Sequence, residues 1–262
     1  IESKGGDIAV RGSSSTSNGI YFGAGANGIT IDSGDGTILL DGRSNSTSTG
    51  NSALYSNNST TIITSSSTQT TAIQIIGDNS AGVSRGLDLV NPVSIVATGE
   101  GGGIDLIGRS GATQTYALNI ESSSSKILAK SGTISLTAVP NSSGNGGYLH
   151  FSDVVIGSSA TTSVTTSTAN VVLKSDLFVW SVNPNINTSG TVQIIPNGSS
   201  FKDTPYYDSA YRSYLPLSAF DFNGNSETIT GLTVGSETVT STIRLNRDLQ
   251  VEGPITIYGG YV

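Results

Sequence analysis

Hydrophobic positions recur along this chain as short alternating triplets. Each triplet has two apolar residues separated by one other residue, and the segments between triplets are almost entirely Ser, Thr, Asn and Gly. Alternate side chains of an extended strand point to opposite faces, so each triplet places two apolar side chains on one face. The β-branched residues that dominate the triplets favour the extended state. The pattern therefore predicts many short strands separated by polar turns.

The triplets form three interleaved series, each with steps of roughly thirty residues. The first has the form Gly-x-Ile-x-aliphatic, and its key positions are Ile8, Ile38, Ile73, Ile104, Ile134, Val192 and Ile255. Its last two steps are about double, and Val164 is a weaker match that fills one gap. The second series runs through Ile20, Leu54, Leu87, Leu118 and Leu149, and the third through Ile29, Ile62, Val93, Ile127 and Val154.

A self-similar period of this length indicates a solenoid rather than a globule. We predict an all-β fold, a right-handed parallel β-helix (β-solenoid) with about 30–34 residues and three strands per coil. The handedness follows from the preference of parallel crossovers. The first two series then form inward ladders of the core: Ile8, Ile38, Ile73, Ile104 and Ile134 in one, and Ile20, Leu54, Leu87, Leu118 and Leu149 in the other.

The pattern divides the chain into coils over 1–195, an aromatic-rich excursion over 196–228, and resumed coils over 229–262 that we expect to continue in a longer precursor. Two interpretations of the excursion stand: its aromatic residues pack over one face of the rod, or they contact a ligand or partner. Its aromatic residues are Phe201, Tyr206, Tyr207, Tyr211, Tyr214, Phe220 and Phe222. The candidate surface contacts are those four tyrosines together with the outward-facing Ile76 and Ile107.

Composition excludes several classes of protein. The chain has no cysteine, which excludes a disulfide scaffold, thiolate metal sites and cysteine catalysis. The absence of both cysteine and methionine fits an exported protein. Its 12 basic residues are scattered and its net charge is −7, so we expect no nucleic-acid partner. No run of apolar residues is long enough for membrane insertion.

His150 is the only histidine. Alternation between Leu149 and Phe151 puts it outside the core, on one outward row with Asn119 and Asp88. Since strands stack about 4.8 Å apart, Asp88 and His150 lie about 10 Å apart, too far for a catalytic dyad. We predict a solvated polar ladder here.

The outward row at the centre of the first strand gathers no pair of carboxylates, as glycoside hydrolysis would require. That row reads Ala9, Leu39, Gln74, Asp105 and Ser135. We therefore predict no enzyme, no catalytic residue, no metal site and no cofactor.

Three further motifs are weak. Asp32–Gly36 has the composition of a calcium loop, but it matches neither the EF-hand spacing nor the repeated nonapeptide pattern and favours a turn. Arg11 and Asp41 are expected to pair across coils at the surface. Glycosylation sequons begin at Asn45, Asn57, Asn58, Asn141, Asn187 and Asn197, and chance produces such matches in a chain this rich in Ser and Thr.

The frames Gly6–Val10 and Gly36–Leu40, the polar turns, and the closing runs Gly231–Gly235 and Gly253–Gly260 carry a resemblance over nearly the whole chain. The chain resembles the bacterial secreted exoproteins related to filamentous haemagglutinin, of the two-partner secretion type. That resemblance implies a β-helical rod outside the cell or at the bacterial surface, acting as an adhesin or filament in attachment or biofilm building. It implies assembly with other copies and contact with cell-surface or matrix glycans, and it supplies no catalytic motif.

Two alternatives remain open at this point. A carbohydrate-binding or carbohydrate-active β-helix would need a groove lined with acids and aromatic residues. A subunit that polymerises end to end would use the unpaired sheet edges of its terminal coils.

Overall fold

A computed structural model of the chain describes residues 1–23, 28–57, 60–111, 116–140, 147–202, 220–222, 227–244 and 248–260, and residues 214–216 as backbone. Over these residues the chain forms strands and no helix, and the strands pair in parallel. Three large sheets run along the molecule, and sequence-adjacent strands lie in different sheets. The predicted all-β solenoid with three strands per coil is confirmed, and its handedness stays a prediction.

The first sheet has nine strands in register along the whole molecule. They are β1 (Ile8–Ser14), β4 (Ile38–Ser44), β7 (Ile73–Asn79), β10 (Ile104–Ser110), β13 (Thr133–Val139), β16 (Asn170–Lys174), β19 (Thr191–Ile195), β21 (Gly231–Val234) and β23 (Ile255–Ile257).

The second and third sheets have six strands each. The second contains β2 (Ile20–Phe22), β5 (Leu54–Ser56), β8 (Leu87–Leu89), β11 (Tyr116–Ile120), β14 (Tyr148–Ser152) and β17 (Phe178–Val182). The third contains β3 (Ile29–Asp32), β6 (Thr61–Ser65), β9 (Val93–Ala97), β12 (Lys126–Ala129), β15 (Val155–Gly157) and β18 (Asn185–Asn187). A small fourth sheet pairs β20 (Tyr214–Pro216) with β22 (Thr242–Arg244).

The core fills the shaft that the three sheets enclose. The ten residues of the two inward ladders have at most 8% of their surface exposed. Each ladder joins direct register partners on successive strands. The third sheet adds a ladder of isoleucines at Ile31, Ile63, Ile95, Ile127, Ile156 and Ile186. Since burying one such side chain contributes about 1.5–3 kcal/mol, the ladders provide the main stabilising term of the rod.

Coil length varies more than the predicted range of about 30–34 residues. Val171 lies 21 residues before its register partner Val192, and Leu232 lies 40 residues after Val192. These two residues occupy the gaps in the first series. Val164, which was expected to fill one of them, packs instead in a small cluster apart from the core. Stacking fixes the strands but leaves the turns free to differ in length, so a fixed period misses both positions.

Glycine occupies one position of the first-sheet strands in four successive coils, and alanine follows in the fifth. Gly12, Gly42, Gly77 and Gly108 are register partners at the same position of successive first-sheet strands. A Cβ atom on Gly77 would lie 2.4 Å from the carbonyl oxygen of Gly86, because the chain returns there to begin β8. No side chain fits at that distance, which explains the glycines that flank these triplets.

Toward the C-terminal end the core changes from aliphatic to aromatic. Phe201, Phe220 and Phe222 are buried in the main core, where Phe220 contacts the ring of Phe178 at 5.7 Å between centroids. These three rings therefore lie inside the solenoid, and the interpretation that they cover one of its faces is corrected. β19 and β21 flank the excursion and pair directly with each other. The first sheet thus continues without a break across the inserted segment.

Candidate functional site

The outward face of the second sheet carries a row of register partners that runs across five coils. The row begins with two tyrosines, Tyr21 and Tyr55, and continues with Asp88, Asn119 and His150. The last three residues, named here the polar row, have at most 4% of their surface exposed. Polar side chains buried to this degree need hydrogen-bond partners, and each residue of the polar row has them.

Asp88 is the fixed end of the polar row. Its carboxylate accepts hydrogen bonds from Nη1 of Arg85 at 2.9 and 3.2 Å and from Oγ of Ser52 at 3.0 Å. Nδ2 of Asn119 donates to Oδ1 of Asp88 at 2.7 Å. The carboxylate thus accepts from three side chains, one of them a guanidinium.

The charge on Asp88 sets the direction of every hydrogen bond along the row. A carboxylate only accepts, so the amide nitrogen of Asn119 faces Asp88 and its Oδ1 faces His150. Nδ1 of His150 lies 2.6 Å from that Oδ1 and must therefore carry the proton. Neutral imidazole has one N–H, so Nε2 of His150 is left as an acceptor.

Aromatic and apolar side chains cover the polar row. The ring of Tyr116 stacks on His150 with 4.5 Å between centroids and an interplanar angle of 16°. The guanidinium of Arg85 lies 5.0 Å above the Tyr116 ring, a cation–π contact. Burial lowers the pKa of His150 below its ordinary value of 6.5, and the charges of Glu121 and Asp88 only partly oppose this effect. The imidazole is therefore neutral at pH 7.

The acceptor nitrogen of His150 meets an exposed serine. The pairing of β14 with β17 shifts register after Phe151, so that Ser181 is the extra residue between Trp180 and Val182. Ser181 also lies two residues after Val179, the register partner of His150, so both project from the outward face. Oγ of Ser181 lies 3.2 Å from Nε2 of His150, and Ser181 itself is exposed to solvent.

The expectation of a solvated ladder at His150 is therefore wrong. Alternation along a strand tells which side of the sheet a residue faces, but not whether another part of the chain covers that side. Sequence reasoning missed three residues of this site, namely Arg85, Tyr116 and Ser181. An aromatic residue two positions before Leu118 is a signal that could have indicated a cover, and alternation along β17 could have placed Ser181 on the outward face.

The two tyrosines at the start of the row lie against each other. Their ring centroids are 5.6 Å apart with an interplanar angle of 12°, and 53% of the surface of Tyr21 is exposed. Burial, and then the charge of Asp88, raise the pKa of Tyr55. The exposed end of the row is thus an aromatic pair placed one coil from a buried carboxylate.

Of the predicted contact residues, the structure describes the side chains of Ile76 and Ile107, which lie side by side on adjacent coils. Ile76 and Ile107 are register partners on the first sheet and are half-buried. Tyr206, Tyr207 and Tyr211 lie outside the described residues, and only the backbone of Tyr214, in β20, is described.

The Arg11–Asp41 ion pair is a prediction that the structure corrects. Asp41 pairs instead with Arg43 of its own strand, Nε to Oδ1 at 3.1 Å. Residues two apart on a strand share a face, so Arg43 reaches Asp41 without crossing to another coil.

The Asp32–Gly36 segment is a hydrogen-bonded turn. Oδ1 of Asp32 accepts from the backbone N–H of Gly34, which has a positive φ of 57°. Among the residues that the structure describes, no group of three or more His, Cys, Asp or Glu side chains could hold a metal ion. The same residues include no helix long and apolar enough to cross a membrane.

No protein-family model matches the chain, and neither a curated protein nor a solved structure matches it.

Proposed function

We propose that the chain is a structural segment of an extracellular bacterial adhesin or surface filament, which presents a β-helical rod for attachment or self-assembly. The observation that supports this proposal is the first sheet, whose nine strands stay in parallel register from Ile8 to Ile257. A scaffold of this kind keeps its shape while the turns that project from it vary. Its proposed partners are other copies of the chain, end to end or side by side, and surface or matrix glycans.

Electron microscopy and an adhesion assay test this proposal together. Purified chain is imaged for rods or fibres, and beads coated with it are counted on cells or matrix. The matched control is Ile104→Asp, which buries a charge in the first ladder and unfolds the coil. We expect rods and bead adhesion from the wild type only. Single particles that do not adhere, or equal adhesion by the unfolded control, would contradict the proposal.

The extracellular location belongs to the same proposal. Protease added to intact cells that produce the natural protein should cut it, whereas an internal protein in the same cells should survive. Survival of the chain until the cells are lysed would count against an exposed location.

A second candidate function, carbohydrate binding, is favoured by the tyrosine pair. Tyr21 exposes much of its surface, Tyr55 stacks on it, and the partly exposed guanidinium of Arg85 lies beside the next coil of the row. An aromatic ring can pack against the apolar face of a sugar, while a guanidinium can donate hydrogen bonds to its hydroxyl groups.

A glycan array separates this candidate from bare scaffolding. We expect binding by the wild type and its loss in Tyr21→Ala. The control is Ile62→Ala, which removes another exposed large side chain from the third sheet. Equal signals from both variants, or no binding by the wild type, would contradict carbohydrate binding. The scaffold proposal would then be the one that stands.

A further inference from the structure

A polarised chain of hydrogen bonds ends at one exposed hydroxyl group. Starting from Arg85, the bonds run through Asp88, Asn119 and His150 to Ser181. Every donor along it points toward the Asp88 carboxylate. The hydroxyl of Ser181 therefore donates to Nε2 of His150, the one nitrogen of that ring that can take up a proton.

We propose that Ser181 is a nucleophile that attacks acyl esters, with His150 as its general base and with Asn119 and Asp88 as positioning residues. The arrangement meets the geometric requirement for an activated serine: a hydroxyl within hydrogen-bond reach of a base that a third group orients. This inference goes beyond the proposed function and does not depend on it.

The reaction balances with the groups present. Oγ of Ser181 bonds to the ester carbonyl carbon while its proton passes to Nε2 of His150. The bond from that carbon to the alcohol oxygen then breaks, and the leaving alcohol takes the proton from Nε2. Water attacks the resulting acyl-serine by the same route, which returns the proton to Oγ and releases the acid. The net change is ester and water to acid and alcohol.

The other serines of the chain provide internal comparisons. Ser44 and Ser65 donate their hydroxyl hydrogens to backbone carbonyl oxygens, which cannot take up a proton. Since the chain has a single histidine, no second imidazole is available as a base. General-base assistance contributes about 10²–10⁴-fold to a rate. Ser181 should therefore react at least about 100-fold faster than an average exposed serine.

The charged groups that face His150 predict the pH profile of this reaction. Asp88 and Glu121 favour the imidazolium, while Arg85 and burial oppose it, with burial the largest effect. The free base therefore forms at lower pH than in a solvated histidine. The rate should rise to a plateau through a midpoint below pH 6.5.

The test uses p-nitrophenyl acetate, with release of p-nitrophenolate followed by absorbance and the acetyl group located by mass spectrometry. We expect acetyl on Ser181, fast release, and loss of both in Ser181→Ala. The control Ser123→Ala removes another exposed serine and should react like the wild type. Acetylation of Ser181 no faster than of Ser123 would overturn the proposal. Release retained in Ser181→Ala would do so too, because the attacking atom would then be Nε2 of His150 itself.

Discussion

The two faces of the second sheet are built from neighbouring residues and are held in different ways. Leu118 and Leu149 face the shaft, while Asn119 and His150 face outward, and all four are buried. The leucines stabilise by the apolar area they remove from water, which has no direction. The outward residues are joined by hydrogen bonds whose direction the Asp88 carboxylate sets. The inward face therefore determines how the coils stack, and the outward face determines which atom carries each proton.

Truncating the inward ladder should give the largest loss of stability. Leu118→Ala removes a fully buried side chain between two register partners, and we expect a loss of about 2–5 kcal/mol in the free energy of unfolding. Chemical denaturation measures it. Ile62→Ala, at an outward and exposed position, is the control and should cost about 0.5 kcal/mol or less. Equal costs would mean that the ladder is not the core.

Removing the amide from the polar row should cost less than a core leucine. Asn119→Leu keeps the volume but leaves the Asp88 carboxylate short of one donor and Nδ1 of His150 without its acceptor. An unsatisfied buried polar group costs about 1–3 kcal/mol. The same substitution at Asn91, whose amide bonds Asn57 in a partly exposed turn, should cost less. An Asn119→Leu protein as stable as the wild type would show that the row contributes nothing.

Lowering the pH should reduce the stability that His150 contributes on the outward face. Burial lowers the pKa of His150 in the folded chain, so between that pKa and 6.5 the unfolded chain binds more protons. Stability from this residue is full above pH 6.5 and falls as the pH drops below it.

Unfolding midpoints of the wild type and of His150→Gln, measured between pH 8 and pH 5, isolate this effect. The carboxylates titrate in both proteins, so only the difference between the two curves reports on His150. The wild type should lose more stability than the variant below pH 6.5. Parallel curves over the whole range would contradict a buried imidazole.

Removing a tyrosine from the exposed end of the row should cause the smallest loss in the free energy of unfolding. Tyr21→Ala removes one ring of a stacked pair, and cross-strand pairs of this kind contribute about 0.2–1 kcal/mol. The same denaturation assay measures it. A loss as large as that of Leu118→Ala would show that the tyrosines belong to the core.

Sequence reasoning predicts the inward face well because that face depends only on alternation and repetition. Ile134 and Leu149 could be placed from their spacing alone. Val171 and Leu232 could not, because coils of unequal length break the period although the strands still stack. Phe220 and Phe222 reach the core through an irregular segment that follows no strand pattern.

The candidate site could be predicted only in part. The row of Asp88, Asn119 and His150 follows from register. Its burial depends on side chains such as Tyr116 that cover the sheet from outside, and Ser181 reaches His150 diagonally from two residues beyond Val179, the register partner of that histidine. The prediction that the chain is not an enzyme stays a prediction, and the acetylation of Ser181 tests it.

The most direct test of this account is a measurement on the one histidine. In chain labelled with ¹⁵N at histidine, NMR gives a single imidazole, so its two nitrogens are assigned without ambiguity. We predict a proton fixed on Nδ1, a bare Nε2 at neutral pH, and a titration midpoint below 6.5. An imidazole that exchanges between its two tautomers and titrates at 6.5 or above would contradict a buried, oriented polar row.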